Sequence, residues 1–430
     1  MQRFFLNSTF LIIEKVFSAG FGFVFLIILA NSYDTTSVGL YIYGLSIAVV
    51  ISTILLLCDE KIIKKYVINF ASPNIFIQGS YLKFVLSFFI IIISIIFGWI
   101  NESHSFILLF LSIQLVTQSI AYTFLYCFDL DSKSIYRVAV SFVGNSVTFS
   151  LQLYFIFTNA SITLIAFSGV IGSSLMLVIS LVLFCNNITN SVIKNSLNFD
   201  IIKKVLFESW PFAIAAAAHI LYMRMDILMI EYYLGLDATV YYAYSVQLIS
   251  VGTLIIYPFQ TALFPMLVRE HKKLKQNKFK GVLLSITSLS TKFAYLLAII
   301  AILCIEYFLN IFLPKDYIII MDFFIFQVFT MIIFYNSIIR SSYITINNIG
   351  FIILITQVLA LLLNFILNIY LINKFGITGA AVATLLSTFA ALFFSNLLFN
   401  GTKGFFKIQL AALIRIKLKH DFNILTKTFN

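Results

Sequence analysis

The chain has 430 residues, of which 61% are hydrophobic and only 10% are charged. A soluble domain carries about 45–50% apolar and about 25% charged residues, because its surface must meet water. The mean hydropathy of +1.03 agrees with this excess. The composition predicts an integral membrane protein and excludes soluble enzymes and nucleic-acid-binding proteins. The net charge of +11 is then explained by basic residues that flank membrane spans.

Twelve apolar segments follow one another along the chain, and each is long enough to span a bilayer, which takes about 20 residues in a helix. The sequence therefore predicts an all-α integral membrane protein with about twelve transmembrane helices. The first segment carries Glu14 and Lys15, which is not typical of a cleaved signal peptide. The predicted spans are 8–30, 37–58, 80–100, 105–127, 135–158, 161–185, 209–233, 239–264, 282–309, 318–340, 350–372 and 376–399.

Lysine and arginine are distributed unequally between the two sides of the predicted membrane. If the N-terminus is cytoplasmic, the inner connections and the two ends carry 22 of these residues, whereas the outer connections carry only Lys315 and Lys374. The positive-inside rule then predicts that both termini are cytoplasmic. The outer connections are too short for a catalytic domain. They are 31–36, 101–104, 158–160, 234–238, 310–317 and 373–374.

A weak internal repeat divides the chain into two halves. Tyr41 and Tyr43 match Tyr242 and Tyr244 at an offset of 201 residues. Transporters often contain two repeats related by an axis along the membrane normal. We therefore predict an N-terminal six-helix lobe (1–200), a C-terminal six-helix lobe (201–400) and a basic amphipathic cytoplasmic tail (401–430). The tail is expected to lie at the membrane interface and not to form a thirteenth span.

Motifs for nucleotide and metal binding are absent from the sequence. The phosphate-binding pattern G-x-x-x-x-G-K-[ST] does not occur, so no ATP site is predicted. The cysteines have no C-x-x-C spacing, so neither a metal site nor a disulfide framework is predicted. We expect no cofactor. The cysteines are Cys58, Cys127, Cys185 and Cys304.

Charged residues inside the predicted spans mark candidate sites, because a charge at mid-bilayer costs at least about 2.5–3.5 kcal/mol. Lys292 lies deep in its span and needs either a wet cavity or an acidic partner, such as Glu14 near the start of the chain. Arg224 and Asp226 share one span but point about 200° apart, since each helical residue turns about 100°. Asp226 instead shares a face with His219. Lys83 and Arg137 lie near span ends, where long side chains reach water.

Amide side chains form polar faces on two predicted spans. Gln357, Asn364 and Asn368 lie on one face of the eleventh span, and Gln114 and Gln118 do so on the fourth. One interpretation is hydrogen bonding between helices. The other is a wet cavity whose amides bind sugar hydroxyls.

Several short segments resemble a family of polysaccharide exporters. Together they cover the start of the C-terminal half and the junction of the eleventh and twelfth spans, and the similarity extends over nearly the whole chain. The resemblance is to Wzx-type O-antigen or polysaccharide repeat-unit flippases, within the multidrug/oligosaccharidyl-lipid/polysaccharide (MOP) exporter superfamily. The segments are Trp210-Pro-Phe through Arg224-Met-Asp226, Tyr233-Leu-Gly235, Tyr242-Ala-Tyr244-Ser, Asn364-Phe-Ile-Leu-Asn368 and Phe375-Gly-Ile-Thr-Gly379-Ala-Ala-Val-Ala-Thr384.

The resemblance implies a MATE-like fold with two six-helix lobes around a central cavity. It implies a transporter, not an enzyme, that flips undecaprenyl-pyrophosphate-linked repeat units from the cytoplasmic to the periplasmic face of the bacterial inner membrane by ion-coupled alternating access. Expected partners are this lipid-linked oligosaccharide, H⁺ or Na⁺, membrane lipids and other polysaccharide assembly proteins, but no nucleic acid. The predicted substrate-binding residues are Lys292, Arg224, Gln357, Asn364, Asn368, Gln114 and Gln118, and the predicted ion-coupling residues are Asp226, Glu14 and His219.

Two other functions fit a protein with many membrane spans. A drug/cation antiporter of the same superfamily would share the fold but should have an acidic cavity, whereas a lysine is the deepest charge here. A polysaccharide polymerase or ligase should carry a large outer loop for its chemistry, and the predicted outer connections are too short for one.

Overall fold

The computed structural model describes residues 2–58, 60–70, 74–100, 105–130, 133–187, 199–254, 256–273, 276–415 and 417–429. These residues are almost entirely helical. The chain divides into two compact units, Met1–Arg224 and Met225–Asn430. The predicted outer connection 101–104 and most of the basic segment before the seventh span lie outside the described residues.

The first unit is built around α5, which packs against α2, α4 and α7, while α6 packs against α1 and α7. A 3₁₀ helix, Ser52–Leu57, follows α2. The helices are α1 (Gln2–Ser32), α2 (Thr35–Ile51), α3 (Glu60–Phe70), α4 (Asn74–Ile100), α5 (Ser105–Leu130), α6 (Ile135–Phe157), α7 (Ile162–Asn187) and the first part of α8 (Phe199–Leu234).

The second unit begins within α8 and contains the remaining helices. In this unit α11 packs against α12 and against the two last helices of the chain. The helices are α9 (Leu236–Thr253), α10 (Ile256–Lys273), α11 (Gln276–Phe312), α12 (Met321–Asn336), α13 (Arg340–Ile346), α14 (Phe351–Phe389), α15 (Ser395–Leu398), α16 (Lys403–Ile414) and α17 (Leu418–Phe429). A π-helical turn, Ala390–Phe394, joins α14 to α15.

Ten helical segments among the described residues are long and apolar enough to cross a membrane. The segment Phe351–Leu398 contains two predicted spans, 350–372 and 376–399. The predicted span 239–264 is divided between α9 and α10. Pro258 falls in the first turn of α10, where the missing N–H of proline costs no helical hydrogen bond. An all-α membrane protein with about twelve transmembrane helices is therefore confirmed.

A sharp reversal at Gly376 brings the two halves of α14 together. Gly376 has φ 60° and ψ −138°, a left-handed conformation that favours glycine. Close to it, a Cβ atom on Gly379 would lie 2.0 Å from the carbonyl oxygen of Leu371, so a side chain there would force the two halves apart. Residues before Gly376 consequently face residues after it, as in the 3.5 Å contact between Asn364 and Ser387.

The starts of α2 and α9 correspond to the repeated tyrosines. Tyr41 is the seventh residue of α2 and Tyr242 is the seventh residue of α9, and both are buried. Asp34 caps α2, because its carboxylate accepts hydrogen bonds of 2.9 Å from the Ser37 N–H and 2.8 Å from the Ser37 hydroxyl. These hydrogen bonds lower the pKa of Asp34. The predicted lobe boundaries stay a prediction.

The tail packs against the second unit. Phe405 and Gln409 of α16 are fully buried, and both α16 and α17 contact α11. A buried ion pair joins the carboxylate of Asp421 to Arg415 Nη2 at 2.8 Å. Residues of the tail thus contribute to the core of the second unit, and the expected position of the tail at the membrane interface stays a prediction.

Candidate functional site

Asp226 lies at the centre of a buried polar cluster in the second unit. Its Oδ2 accepts a hydrogen bond of 2.6 Å from the Tyr242 hydroxyl and another from the Thr384 hydroxyl. Its Oδ1 accepts hydrogen bonds from the side-chain amides of Asn364 at 3.0 Å and Asn368 at 2.6 Å. The carboxylate is 5% exposed, and both asparagines are fully buried. We call these five residues the Asp226 cluster.

Three helices position the Asp226 cluster. Asp226 comes from α8 and Tyr242 from the second turn of α9. Asn364 and Asn368 lie one turn apart before the reversal at Gly376, and Thr384 lies after it. The reversal therefore determines the site, since a straight α14 would carry Thr384 far from the two asparagines.

The charge of Asp226 has no cationic partner. None of the ion pairs among the described residues includes this carboxylate. Four donors replace the water that an ionised carboxyl would lose on burial. The Oδ1 atom of Asn368 is buried and has no hydrogen-bond partner in the part of the chain that the structure describes. Carboxylate, hydroxyl and amide oxygens are the ligands that hard cations prefer, so the cluster is suited to a proton or a small cation such as Na⁺.

The amide face of the eleventh span is therefore used for hydrogen bonds between helices. Asn364 and Asn368 are closed off from solvent, whereas Leu359 and Ile366 on other faces of the helix are 45% and 61% exposed. Gln357 lies on the same helix, closer to its N-terminus, and is half-buried. The wet-cavity interpretation does not describe the two asparagines.

Arg224 lies on α8 two residues before Asp226 and is half-buried. No hydrogen bond or ion pair of its guanidinium exists among the described residues. The charge has therefore kept its capacity to bind an anion. His219, on the same helix, is half-buried and is not among the hydrogen-bond partners of Asp226.

Lys292 is held by the end of another helix in the second unit. Its Nζ donates hydrogen bonds to the carbonyl oxygens of Ala412 at 2.9 Å and Leu413 at 3.2 Å, at the C-terminus of α16. A cation at this position complements the partial negative charge of a helix C-terminus. The carboxylate of Asp421 on α17 adds an attractive charge interaction, so no open cavity is needed, and the geometry indicates that Lys292 attaches the tail to α11.

Glu14 is part of an ion-pair network in the first unit. Its Oε2 lies 3.3 Å from Arg137 Nε, an ion pair without hydrogen-bond geometry, and its Oε1 accepts a hydrogen bond of 3.0 Å from the Tyr122 hydroxyl. Arg137 Nη1 also lies 2.8 Å from Asp129 Oδ2, which lies 3.0 Å from Lys64 Nζ. Glu14 therefore pairs with Arg137 and not with Lys292.

This network corrects the expectation that Arg137 and Lys83 simply extend to water. The Arg137 guanidinium is packed over the Tyr122 ring at 4.9 Å, and Lys83 donates a 3.1 Å hydrogen bond to the carbonyl oxygen of Ser119. Lys83 is only 3% exposed. The acidic partners of Arg137 lie on other helices, with Asp129 at the end of α5 and Glu14 far away in the sequence on α1, so spacing along one helix could not reveal them.

The glutamines of the fourth span lie on α5 and are both half-buried. Gln114 packs directly against the backbone of Gly169 on α7, where a Cβ atom would lie 2.1 Å from the Gln114 Oε1 atom. This contact supports the helix-packing interpretation for Gln114.

Sequence reasoning missed Arg340, which it had assigned to an inner connection. Arg340 is the first residue of α13 and is only 4% exposed. Its hydrogen-bond partners are the neutral side chains of Thr356 on α14 and of Ser395 and Asn396 on α15. Ser337, Ser341 and Ser342, which lie close to Arg340 in the sequence, were the available signal.

No family model and no curated protein matches the chain. Solved structures do match it. A multidrug resistance MATE family transporter of the MOP superfamily, in an inward-facing conformation, is 11% identical with a TM-score of 0.71, over 93% of this chain and 96% of that chain. The lipid II flippase MurJ, in an inward closed conformation, is 16% identical with a TM-score of 0.65, over 97% of this chain and 95% of that chain.

A third similar structure is a MOP superfamily transporter from Pyrococcus furiosus. It is 14% identical with a TM-score of 0.61, over 95% of each chain. The chain has a MATE-like fold. At such low identities the likeness concerns the fold, and the predicted O-antigen substrate is considered below as a proposal.

Proposed function

We propose that this protein flips undecaprenyl-pyrophosphate-linked O-antigen or related polysaccharide repeat units across the bacterial inner membrane, from the cytoplasmic to the periplasmic face. The MATE-like fold supports a transporter. The observation that carries the choice of an anionic, lipid-linked cargo is Arg224, a half-buried guanidinium with no counter-ion among the described residues. A diphosphate is the group that would compensate this charge, because arginine binds phosphate oxygens through paired, charge-assisted hydrogen bonds.

The positive sign of the charge on Arg224, which has no counter-ion among the described residues, distinguishes this proposal from a drug/cation antiporter of the same fold. A carrier for cationic drugs needs an uncompensated acid to receive them. Among the described residues, Glu14 is neutralised by Arg137. Asp226 has no cationic partner, but it is only 5% exposed and is enclosed by four donors, so it suits a small ion and not a bulky cationic drug. The free charge of Arg224 is positive, which favours an anionic cargo.

We propose that the Asp226 cluster carries the coupling ion, H⁺ or Na⁺. A transporter that uses an ion gradient needs a site whose charge changes when the ion binds. Asp226 is such a site, because neutralising it removes the demand for its four donors. The ligands for a cation would be the carboxylate oxygens together with the unpaired Oδ1 of Asn368.

Deleting the gene is expected to leave lipid-linked repeat units on the cytoplasmic side and to remove the glycan from the cell surface. Wild-type protein should restore the glycan. Arg224→Ala should not restore it, although its abundance should be near normal, because the substitution breaks no hydrogen bond or ion pair among the described residues. Arg224→Lys should restore part of the export, since a lysine keeps the charge but not the paired donors. Surface glycan and membrane protein abundance are measured together.

The control for Arg224 is Lys374→Ala, which removes an exposed cation from the second unit. Export should be normal in this variant. Normal export by Arg224→Ala at normal abundance would remove Arg224 from the mechanism and would remove the main support for an anionic cargo.

The orientation follows from the 22 basic residues assigned to the inner side and the two assigned to the outer side. A reporter enzyme that is active only in the periplasm should be active when fused after Leu236. The same reporter should be inactive when fused after Gln276, at the start of α11. The reverse pattern would contradict both cytoplasmic termini and the number of spans between them.

A further inference from the structure

The Asp226 cluster joins the two arms of α14. The first arm runs from the start of α14 to the reversal at Gly376, and the second arm continues from there through the π-helical turn to α15. Asn364 and Asn368 on the first arm and Thr384 on the second arm all donate hydrogen bonds to one carboxylate. The contact between the arms at this level therefore depends on the charge of a single side chain.

A cavity of about 390 Å³ lies between the arms on the side of the cluster away from Gly376. Its wall is apolar except for Thr356 and Ser395, whose hydroxyls donate hydrogen bonds to the carbonyl oxygens of Ile353 and Ala391. The arms can therefore approach each other across this space without leaving those hydroxyls unpaired. The apolar lining residues are Leu359, Ala360 and Leu363 on the first arm, and Ala390, Ala391, Phe394, Leu397 and Leu398 on the second arm and α15.

The π-helical turn Ala390–Phe394 is the point at which the second arm can bend. The Ser395 N–H donates to the carbonyl oxygen five residues before it, whereas an α-helix pairs residues four apart. The carbonyl oxygen of Leu392 accepts hydrogen bonds from the side-chain amides of Asn396 at 2.9 Å and Gln409 at 3.2 Å. Helices kink at such turns, and hinges are commonly a few residues near the end of an element.

The short helix α15, which follows the turn, is restrained on the side away from the cavity. Asn396 is fully buried and donates a 2.6 Å hydrogen bond to Gln409 of α16. Arg340 Nε donates a 2.9 Å hydrogen bond to the same asparagine. Ser395, the first residue of α15, lines the cavity. Because α16 blocks movement in its own direction, a bend at the turn carries α15 into the cavity.

We propose that the π-helical turn is a hinge through which the ion site controls the end of the second arm. A cation that neutralises Asp226 removes the charge that holds the donors of both arms. The second arm is then released, and α15 closes over the cavity. In the predicted orientation this end of the arm is cytoplasmic, so closure narrows the cytoplasmic side of the second unit. This role of the hinge depends on the ion-binding role proposed above for the Asp226 cluster.

The test measures disulfide formation across the cavity in purified full-length protein in detergent, after the four native cysteines are replaced by serine. The pair Leu359→Cys and Leu397→Cys reports closure, since both positions line the cavity and Leu397 lies beyond the turn. Adding Asp226→Asn should raise the rate of disulfide formation about fivefold or more, the lower end of the range for energetic coupling between two sites. Adding Asp322→Asn, which removes an exposed carboxylate, is the control and should leave the rate unchanged.

A second pair of cysteines locates the hinge. Leu363→Cys and Ala390→Cys also line the cavity, but Ala390 is the first residue of the turn and Leu363 lies next to Asn364 of the cluster. Asp226→Asn should therefore leave the rate for this pair close to that of the native aspartate. Equal acceleration of the two pairs would show that the arms move as rigid bodies, and it would overturn a hinge at the turn.

A third variant keeps the carboxylate in place. Thr384→Val removes the hydrogen bond between the second arm and Asp226, so it should also accelerate the pair that reports closure, even if Asp226→Asn fails to fold. Equal rates for this pair in the native background, Thr384→Val and Asp322→Asn would overturn the proposal.

Disulfide formation requires neither cargo nor export, so the hinge and the flippase function are tested separately. Unchanged rates together with a loss of glycan export in Asp226→Asn would overturn the hinge and leave the proposed function. Accelerated closure together with normal export would support the hinge and contradict the coupling role of Asp226.

Discussion

Replacing Asp226 by asparagine is expected to abolish ion-dependent transport while the protein still folds. The substitution keeps the shape of the side chain and removes its charge. The hydroxyls of Tyr242 and Thr384 can accept as well as donate, so they can turn to pair with the new amide. Glycan export should fall at least about tenfold, the lower end of the loss seen when groups that support an ion site are removed.

Ion binding can be measured without transport. Addition of Na⁺ should shift the melting temperature of wild-type protein in detergent, because a ligand that binds only the folded state stabilises it. Asp226→Asn should lose this shift. The matched control is Asp322→Asn, which removes an exposed carboxylate from α12 and should keep the shift. Wild-type export and an unchanged ion response in Asp226→Asn would exclude Asp226 as the coupling residue.

Replacing Arg137 by leucine is expected to destabilise the first unit strongly. Arg137 lies 3.3 Å from Glu14 and 2.8 Å from Asp129, whose side chains are 7% and 8% exposed. Removing one partner of a buried ion pair costs about 3–5 kcal/mol, because the remaining charge is left without compensation. Lys64 still pairs with Asp129, so Glu14 should account for most of the loss. The melting temperature and the yield of folded protein should both fall.

A second substitution separates this effect from a simple loss of packing. Glu14→Gln removes the charge that Arg137→Leu leaves unpaired, so the double variant should recover part of the lost stability. Lys133→Leu is the control, because this exposed lysine lies four residues before Arg137 in the sequence and takes part in none of the ion pairs described. Equal stability of Arg137→Leu and Lys133→Leu would show that the network does not hold the helices together.

Buried cations in this protein have three different environments, and the environment decides the role. Arg137 has carboxylate partners and stabilises the fold. Lys292 caps a helix, so its loss should loosen α16 and not affect cargo directly. Arg224 lacks an acidic partner among the described residues, and it is the cation that we assign to an anionic ligand.

The sequence determined the membrane character, the helical class and the approximate number of spans, because each follows from local composition. A run of about 20 apolar residues must satisfy its backbone hydrogen bonds internally in lipid, so it forms a helix wherever the rest of the chain lies. The sequence also identified Asp226, Asn364 and Asn368 as polar residues that are costly within a membrane. It could not tell that the three side chains form one cluster.

Only the tertiary structure decided which polar groups meet. The reversal at Gly376 brings Thr384 to Asp226, although 158 residues separate them in the chain. Packing of α16 on α11 gives Lys292 two carbonyl partners that no pattern along α11 could indicate. The physical reason is that a buried charge is stabilised by whatever group lies within about 4 Å of it, and this distance depends on packing between helices and not on spacing within one of them.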